Sequence, residues 1–95
     1  MPMKVKRCLL SGNMLSSLDD VYNELARQLS LPSYFGRNLD ALWDVLSTDI
    51  KGPFEIVWQQ AAASRQAMGK EYGRIIKVLR RLEKERDDFS LIVEQ

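Results

Sequence analysis

Three short apolar runs, separated by segments of helical periodicity, constrain the fold of this chain more than any other feature. The runs lie at residues 7–10, 54–58 and 89–93, and their length and turn-forming flanks, such as Ser11 and Gly12, indicate strands. Helical segments between strands act as crossovers, which join parallel strands of one sheet. The sequence therefore predicts an α/β fold with a three-stranded, mainly parallel sheet, and we expect the first strand to lie in its middle.

Four segments outside these runs carry helical signals, so about four helices should pack on the sheet. The first helix is expected from Leu18, with Ser16 or Ser17 as its N-cap. The second helix follows Asn38, another good N-cap. Apolar residues recur at helical spacing in the first, second and last helix: Leu18, Val21, Tyr22, Leu25 and Leu29; Leu39, Leu42, Trp43 and Leu46; Tyr72, Ile75, Ile76, Leu79 and Leu82. The alanine-rich residues 59–68 predict a helical turn and loop with weak packing.

The composition narrows the possible functions. The 95 residues correspond to a single domain, assigned as residues 1–95. The chain has no histidine and one cysteine, Cys8, which excludes histidine-based catalysis, an internal disulfide and a cysteine zinc cluster. The formal net charge of +1 gives no overall field toward nucleic acids or membranes. Since no run suits a signal peptide or a membrane span, we expect a cytoplasmic protein without a membrane partner. We also expect no cofactor and no metal.

The second predicted helix carries two carboxylates on its outer face. Asp40 and Asp44 are four residues apart and therefore point outward together, with Ser47 on the same face. Aromatic residues lie nearby in the sequence: Tyr34, Phe35 and Trp43. A carboxylate pair is ordinarily part of a solvated helix face, but aromatic anchors around charges are typical of protein-binding hot spots. A carboxylate can also take the place of an RNA phosphate among the arginines and lysines of a ribonuclease.

The segment LPSYFGRNLDALWDVL closely resembles the central segment of proteins of the barstar family. The members of this family are intracellular inhibitors of barnase-type ribonucleases. The residues that agree with the family pattern are Pro32, Tyr34, Gly36, Asn38, Leu39, Asp40, Ala41, Leu42, Trp43 and Asp44. Weaker similarity extends to both ends, where Ser11 and Gly12 match the first turn and residues 88–93 match the last strand. The resemblance covers nearly the whole chain and implies a barstar-like fold and an inhibitor rather than an enzyme.

The resemblance also implies roles for individual side chains. In the family, the corresponding helix and loop plug the ribonuclease active site. By this likeness Asp44 is the dominant anchor in the enzyme's phosphate pocket, Asp40 pairs with an arginine there, and Tyr34 packs on the catalytic histidine. We therefore expect no catalytic residues and one partner-binding set: Tyr34, Phe35, Asn38, Asp40, Trp43, Asp44, Ser47 and, on the last helix, Glu85. The expected partner is a ribonuclease or ribonuclease-type toxin with a basic active site, which this chain would oppose as an immunity protein.

Three departures from the family pattern bear on the choice of partner. Ser47, Thr48 and Asp49 stand where the family has threonine, glycine and tryptophan. Arg81 stands where a glutamate of the family contacts the enzyme. Barstar is clearly acidic, whereas this chain is balanced, and its residues 70–86 hold seven positive and three negative side chains. We therefore expect as the partner a related ribonuclease, or another toxin opposed by a barstar-like immunity protein, rather than barnase itself.

Other interpretations remain open at this point. Asp40 and Asp44 could hold a divalent metal in an enzyme, although no further ligand cluster, glycine-rich phosphate loop or activated nucleophile accompanies them. The chain could also be a barstar-fold module for a non-nuclease partner, since fold does not fix function. Basic residues of the last helix alternate with glutamates, which is typical of a solvated face, so direct nucleic-acid binding is not expected. Cys8 and Trp58 are expected in the core.

Overall fold

The computed structural model describes residues 4–95 of the chain. Its sheet contains three parallel strands, β1 (Lys6–Ser11), β2 (Phe54–Gln59) and β3 (Phe89–Val93), which confirms the predicted α/β class. The strand order is β1-β2-β3, so the expectation of a central first strand is wrong. Residues 1–3, which the predicted domain includes, lie outside the described part.

The central position of β2 follows from its two buried faces. Phe54, Ile56 and Trp58 are buried on the helix side of the sheet. On the other side, Val57 is also buried, between its cross-strand neighbours Leu9 and Ile92. Strands β1 and β3 instead alternate between buried and exposed residues. A strand that is apolar on both faces suits the middle of a sheet, and the consecutive apolar residues of β2 are the sequence signal for it.

Four helices pack on one face of the sheet, which agrees with the predicted number. They are α1 (Leu18–Leu29), α2 (Leu39–Asp44), α3 (Ala61–Met68) and α4 (Lys70–Glu85). A 3-10 turn, Gly12–Met14, follows β1, and a π-helical turn, Val45–Asp49, extends α2. Both crossovers progress in the same direction along the sheet, so right-handed connections place every helix on the same side. No helix of residues 4–95 combines the length and the apolar character needed to cross a membrane.

The N-caps of α1 and α2 are among those that the sequence predicts. The Ser17 side chain accepts a hydrogen bond from the Asp20 N–H at 3.1 Å, so Ser17 rather than Ser16 is the cap of α1. The backbone and hydroxyl of Ser16 donate to the Asp20 carboxylate and lower its pKa. At the start of α2, the Asn38 side chain accepts a hydrogen bond from the Ala41 N–H at 2.7 Å. These bonds satisfy backbone donors that a helix start otherwise leaves free.

The alanine-rich segment forms a complete helix, α3, and the prediction of weak packing there is wrong. Ala61, Ser64 and Met68 are buried. The Trp58 indole N–H donates to Ser64 Oγ at 3.1 Å, and this hydroxyl donates to the Gly12 carbonyl at 3.0 Å. A Cβ atom on Gly12 would overlap the backbone that leads into α3. Small side chains thus bring α3 against the turn after β1, and close packing is reached without large apolar groups.

Helix side chains are bonded to the backbone of both outer strands. On β1, the Leu9 N–H donates to Gln28 Oε1 at 2.8 Å, and the Leu9 carbonyl accepts from Gln28 Nε2 at 2.6 Å. On β3, the Leu91 N–H donates to Glu83 Oε2 at 2.7 Å, and the Leu91 carbonyl accepts from Arg80 at 3.2 Å. Helices α1 and α4 are thereby fixed to the two edges of the sheet.

Cys8 and Trp58 are fully buried, which confirms their prediction as core residues. The Trp58 ring meets Tyr72 of α4 edge-on, with the ring centroids 5.3 Å apart. Burial raises the pKa of the Cys8 thiol to about 12. Since the thiolate is the reactive form of cysteine, this thiol is inert near neutral pH.

Candidate protein-binding face

The connector between α1 and α2, residues 30–38, is held against α1. The Phe35 ring packs edge-on against Tyr22, with the centroids 5.6 Å apart. Arg37 reaches back to Asp19, with 3.3 Å between a guanidinium nitrogen and a carboxylate oxygen, and lies 5.9 Å from the Tyr22 ring centroid. Phe35, a predicted contact residue, is therefore partly buried against the core and supports the connector from inside.

Helix α2, the turn after it and the connector before it form what we call the acidic face, which consists of Tyr34, Asp40, Trp43, Asp44, Ser47 and Asp49. Asp40 and Asp44 are exposed and lie one helical turn apart, about 6 Å along the axis. Within residues 4–95 neither carboxylate forms an ion pair. Like charges at this spacing disfavour a helix by roughly 0.2–0.5 kcal/mol. Asp40 lies in the first turn of α2 and recovers about as much from the helix dipole, so folding gains little from the pair, which a cationic partner would stabilise.

The π-helical turn, Val45–Asp49, extends the acidic face beyond α2. The hydroxyls of Ser47 and Thr48 donate to the Asp44 carbonyl at 3.2 and 2.6 Å. The Tyr34 hydroxyl donates to Asp49 Oδ2 at 2.6 Å, and this hydrogen bond to a carboxylate raises the pKa of Tyr34. Tyr34 is 73% exposed, so the bond holds an otherwise free ring in place. Asp49, which the sequence marked only as a departure from the family pattern, thus positions a predicted contact residue.

A positive charge borders the acidic face. The Arg81 guanidinium carbon lies 4.6 Å from the Trp43 ring centroid, within the range of a cation–π interaction. Trp43 itself is partly buried against the core. Glu85 lies one turn further along α4, is exposed, and forms no ion pair within the described residues 4–95.

Arg86, the residue that follows α4, holds the C-terminal end of the acidic face in place. Its guanidinium donates to the carbonyls of Leu46 and Ile50 at 2.7 and 2.8 Å. It also donates twice to the Asp88 carboxylate, at 2.8 Å each, and these bonds lower the pKa of Asp88. The Arg86 side chain is only 14% exposed. Sequence inspection missed this residue because the carbonyls it binds lie 40 and 36 residues away along the chain.

The predicted contact residues do not all share one task. Five of them lie on the acidic face: Tyr34, Asp40, Trp43, Asp44 and Ser47. Asn38 serves as the N-cap of α2, Phe35 packs toward α1, and Glu85 belongs to α4. Asn38 and Phe35 therefore help to shape the acidic face, whereas Glu85 is exposed on a different helix.

A groove of about 730 Å³ adjoins the acidic face beside Asp40. It lies where α1, the connector and the start of α4 meet, and its charged lining consists of Asp19, Arg37, Asp40 and Glu71. Three of these four side chains are acidic, so the groove extends the negative charge of the face toward α1. In the part of the chain that the structure describes, no group of three or more carboxylates or cysteines is arranged to hold a metal ion.

A small α/β fold that presents carboxylates and aromatic rings on one exposed helix has the features of a protein-binding protein. The chain belongs to the barstar family, since the family described as Barstar (barnase inhibitor) matches residues 5–94. It is also similar to a protein of Bacillus subtilis (strain 168) named "Putative ribonuclease inhibitor YrdF". The two are 28% identical over 91 residues, which cover 95% of this chain and 100% of that protein. These findings confirm the resemblance seen in the sequence and define a protein of the ribonuclease-inhibitor type.

Proposed function

We propose that this protein inhibits a ribonuclease by inserting its acidic face into the active site of the enzyme. The observation that carries the proposal is the pair Asp40 and Asp44, which are exposed, one turn apart and without an ion-pair partner within residues 4–95. Ribonucleases hold RNA phosphates with arginine and lysine, and a carboxylate accepts hydrogen bonds from the same donors. The inserted face would fill the phosphate pocket and exclude RNA.

The rigidity of the acidic face supports this mechanism. Asn38 caps α2, Tyr34 is bonded to Asp49, and Arg86 ties the end of the segment to the rest of the fold. A surface that is already ordered loses less conformational entropy when it binds. Exposed carboxylates opposite a basic pocket also accelerate association.

The biological role that follows is protection of the producing cell. An inhibitor of this kind would act in the cytoplasm as an immunity protein against a ribonuclease or ribonuclease-type toxin. Arg81 at the border of the face would repel an arginine at the rim of the partner's active site. The partner is therefore a nuclease with a basic active site whose rim accepts a positive charge, which distinguishes it from barnase.

Cell survival provides the first test. Each candidate ribonuclease of the host is co-expressed with the wild type, with the double variant Asp40→Ala/Asp44→Ala, or with Glu55→Gln. Glu55 lies in the central strand on the face of the sheet away from the helices, so its variant removes one negative charge without touching the acidic face. Rescue by wild type and Glu55→Gln but not by the double variant is the expected result. Rescue by all three would place the interface elsewhere, and rescue by none would favour a barstar-fold module with a non-nuclease partner.

Assays with purified proteins measure how much inhibition a single substitution removes. Asp44→Ala should weaken inhibition of RNA cleavage by at least about 2 kcal/mol, as expected of a buried charged hot spot. The same variant should leave the free energy of unfolding within about 0.5 kcal/mol of the wild type, because the carboxylate is exposed and has no ion-pair partner within residues 4–95. A loss of inhibition below about 0.5 kcal/mol would contradict the assignment of Asp44 as the anchor.

A further inference from the structure

Helix α4 carries an uninterrupted row of positive charges on its outer side, which we call the basic row. Its members are Lys70, Arg74, Lys77, Arg81 and Lys84. They recur every three or four residues and all five are exposed, while the opposite side of the helix is buried. From the first to the last, the row extends about 21 Å along the helix axis.

The glutamates of α4 do not neutralise the basic row. Glu83 is turned under the helix, where it accepts from the Leu91 N–H at 2.7 Å and pairs with Arg80 at 3.0 Å. Glu71 lies at the groove beside Asp40. Glu85 is exposed one turn beyond Arg81, beside the end of the row, but it forms no ion pair with a member of the row within residues 4–95. The outer surface of the helix therefore carries five positive charges against Glu85 at its C-terminal end.

The five charges have no partner that folding would provide. Within residues 4–95 no member of the row forms an ion pair. Neighbours at this spacing repel each other, and Lys70 also lies at the helix start, where the helix dipole disfavours a cation. The row is thus a linear array of cations without an ion-pair partner in residues 4–95, and an external anion would stabilise it.

We propose that the basic row binds the phosphodiester backbone of single-stranded nucleic acid without reading its bases. The five charges of the row, spread over about 21 Å, can neutralise four or five phosphates of a strand that runs alongside α4. An acidic protein surface is a poorer match, because protein interfaces centre on aromatic anchors, and among residues 4–95 the one ring within cation–π distance of the row is Trp43, at Arg81. The neighbouring carboxylates Asp40 and Asp44 repel phosphates and confine the strand to α4.

Fluorescence anisotropy of a labelled oligouridylate of about twelve nucleotides, titrated with the full chain, tests the proposal. The dissociation constant should lie between about 10⁻⁴ and 10⁻⁶ M near physiological salt. Between about 50 and 200 mM salt, log K should fall against log[salt] with a slope of about −3, which corresponds to four or five released counterions on a single strand. An oligothymidylate of the same length should bind equally well, because the phosphates and not the sugars are contacted.

A charge-matched pair of variants locates the site. The row variant Lys70→Gln/Arg74→Gln/Lys77→Gln should weaken binding at least tenfold and reduce the slope by about two. The control variant Lys6→Gln/Lys51→Gln/Arg65→Gln removes the same charge from exposed positions outside the row and should bind as the wild type does. Circular dichroism checks that both are folded. Equal loss in the two variants, no binding at about 50 mM salt, or equally tight binding of polyglutamate would each overturn the proposal, and the last would reassign the row to an acidic protein segment.

Discussion

The guanidinium of Arg81 lies over the indole ring of Trp43, with its carbon 4.6 Å from the ring centroid. The contact joins the outer surface of α4 to the helix that carries Asp40 and Asp44. It also keeps a positive charge at a fixed point beside two negative ones. A partner that binds the proposed interface would therefore meet a held positive charge on α4 beside exposed carboxylates on α2.

The first prediction concerns this contact. Arg81→Ala should lower the free energy of unfolding by about 0.5–1 kcal/mol, which is the usual strength of an exposed cation–π pair. Urea unfolding measures the loss, and the fluorescence of Trp43 should change because the ring loses its cover. Lys77→Ala, on the same helix without a recorded aromatic contact, is the control and should stay within about 0.5 kcal/mol. Equal effects of the two variants would show that the Arg81 contact adds nothing to stability.

The second prediction concerns Arg86, which binds the carbonyls of Leu46 and Ile50. Arg86→Lys keeps the charge but not the planar fork that reaches two carbonyls and Asp88 together. We expect a loss of at least about 2 kcal/mol in unfolding free energy, since hydrogen bonds to charged groups contribute roughly 1.5–3 kcal/mol each. Hydrogen exchange should also accelerate at residues 45–50. The same change at the exposed Arg65 of α3 should have neither effect, and unaltered exchange in Arg86→Lys would remove Arg86 as the anchor of the acidic face.

The third prediction concerns the buried hydroxyl of Ser64. Ser64→Ala leaves the Trp58 indole N–H and the Gly12 carbonyl without their partner, which should cost about 1–3 kcal/mol of stability. Chemical unfolding followed by Trp58 fluorescence measures the change. Ser90→Ala, at an exposed position of β3, is the matched control and should shift stability by less than about 0.5 kcal/mol. A neutral Ser64→Ala variant would mean that the hydroxyl does not connect α3 to the turn after β1.

The fourth prediction uses the titration of Cys8, whose thiol pKa burial raises from 9.0 to about 12. Above about pH 9 the unfolded chain loses this proton while the folded chain keeps it, so the folded state binds more protons and stability falls as pH rises. The decline should reach about 1.4 kcal/mol per pH unit in excess of that of Cys8→Ala. Groups other than Cys8 titrate alike in both proteins and cancel in the comparison. Parallel stability curves from about pH 8 to 11 would contradict a protonated, buried thiol.

Most of the architecture could be predicted because it depends on local patterns. Apolar periodicity indicates α1, α2 and α4, and the capping preference of Asn38 places the start of α2. Helix α3 was underestimated because its packing depends on small residues that meet Gly12 closely, and small residues give no periodic signal. The expectation of a central β1 is wrong because β2, and not β1, has buried residues on both faces.

The residues of the candidate site also differ in whether the sequence predicts their role. The exposed carboxylates Asp40 and Asp44 follow from helical spacing alone. The inward direction of Phe35 could not be predicted, because a connector has no fixed period that assigns its side chains to a face. Arg86 and Asp49 act through partners that are distant in sequence, and such contacts emerge only after the chain has folded.

Gln28 is hydrogen-bonded to Leu9 at one edge of the sheet, and Glu83 and Arg80 are hydrogen-bonded to Leu91 at the other. These bonds bear on whether the protein aggregates at high concentration. An outer strand with free backbone groups is a template on which another chain can add a strand and begin an aggregate. Here the middle residue of each outer strand already has both its donor and its acceptor occupied. Addition of a strand at either edge would first have to displace these helix side chains, so the fold resists amyloid-like growth through the sheet.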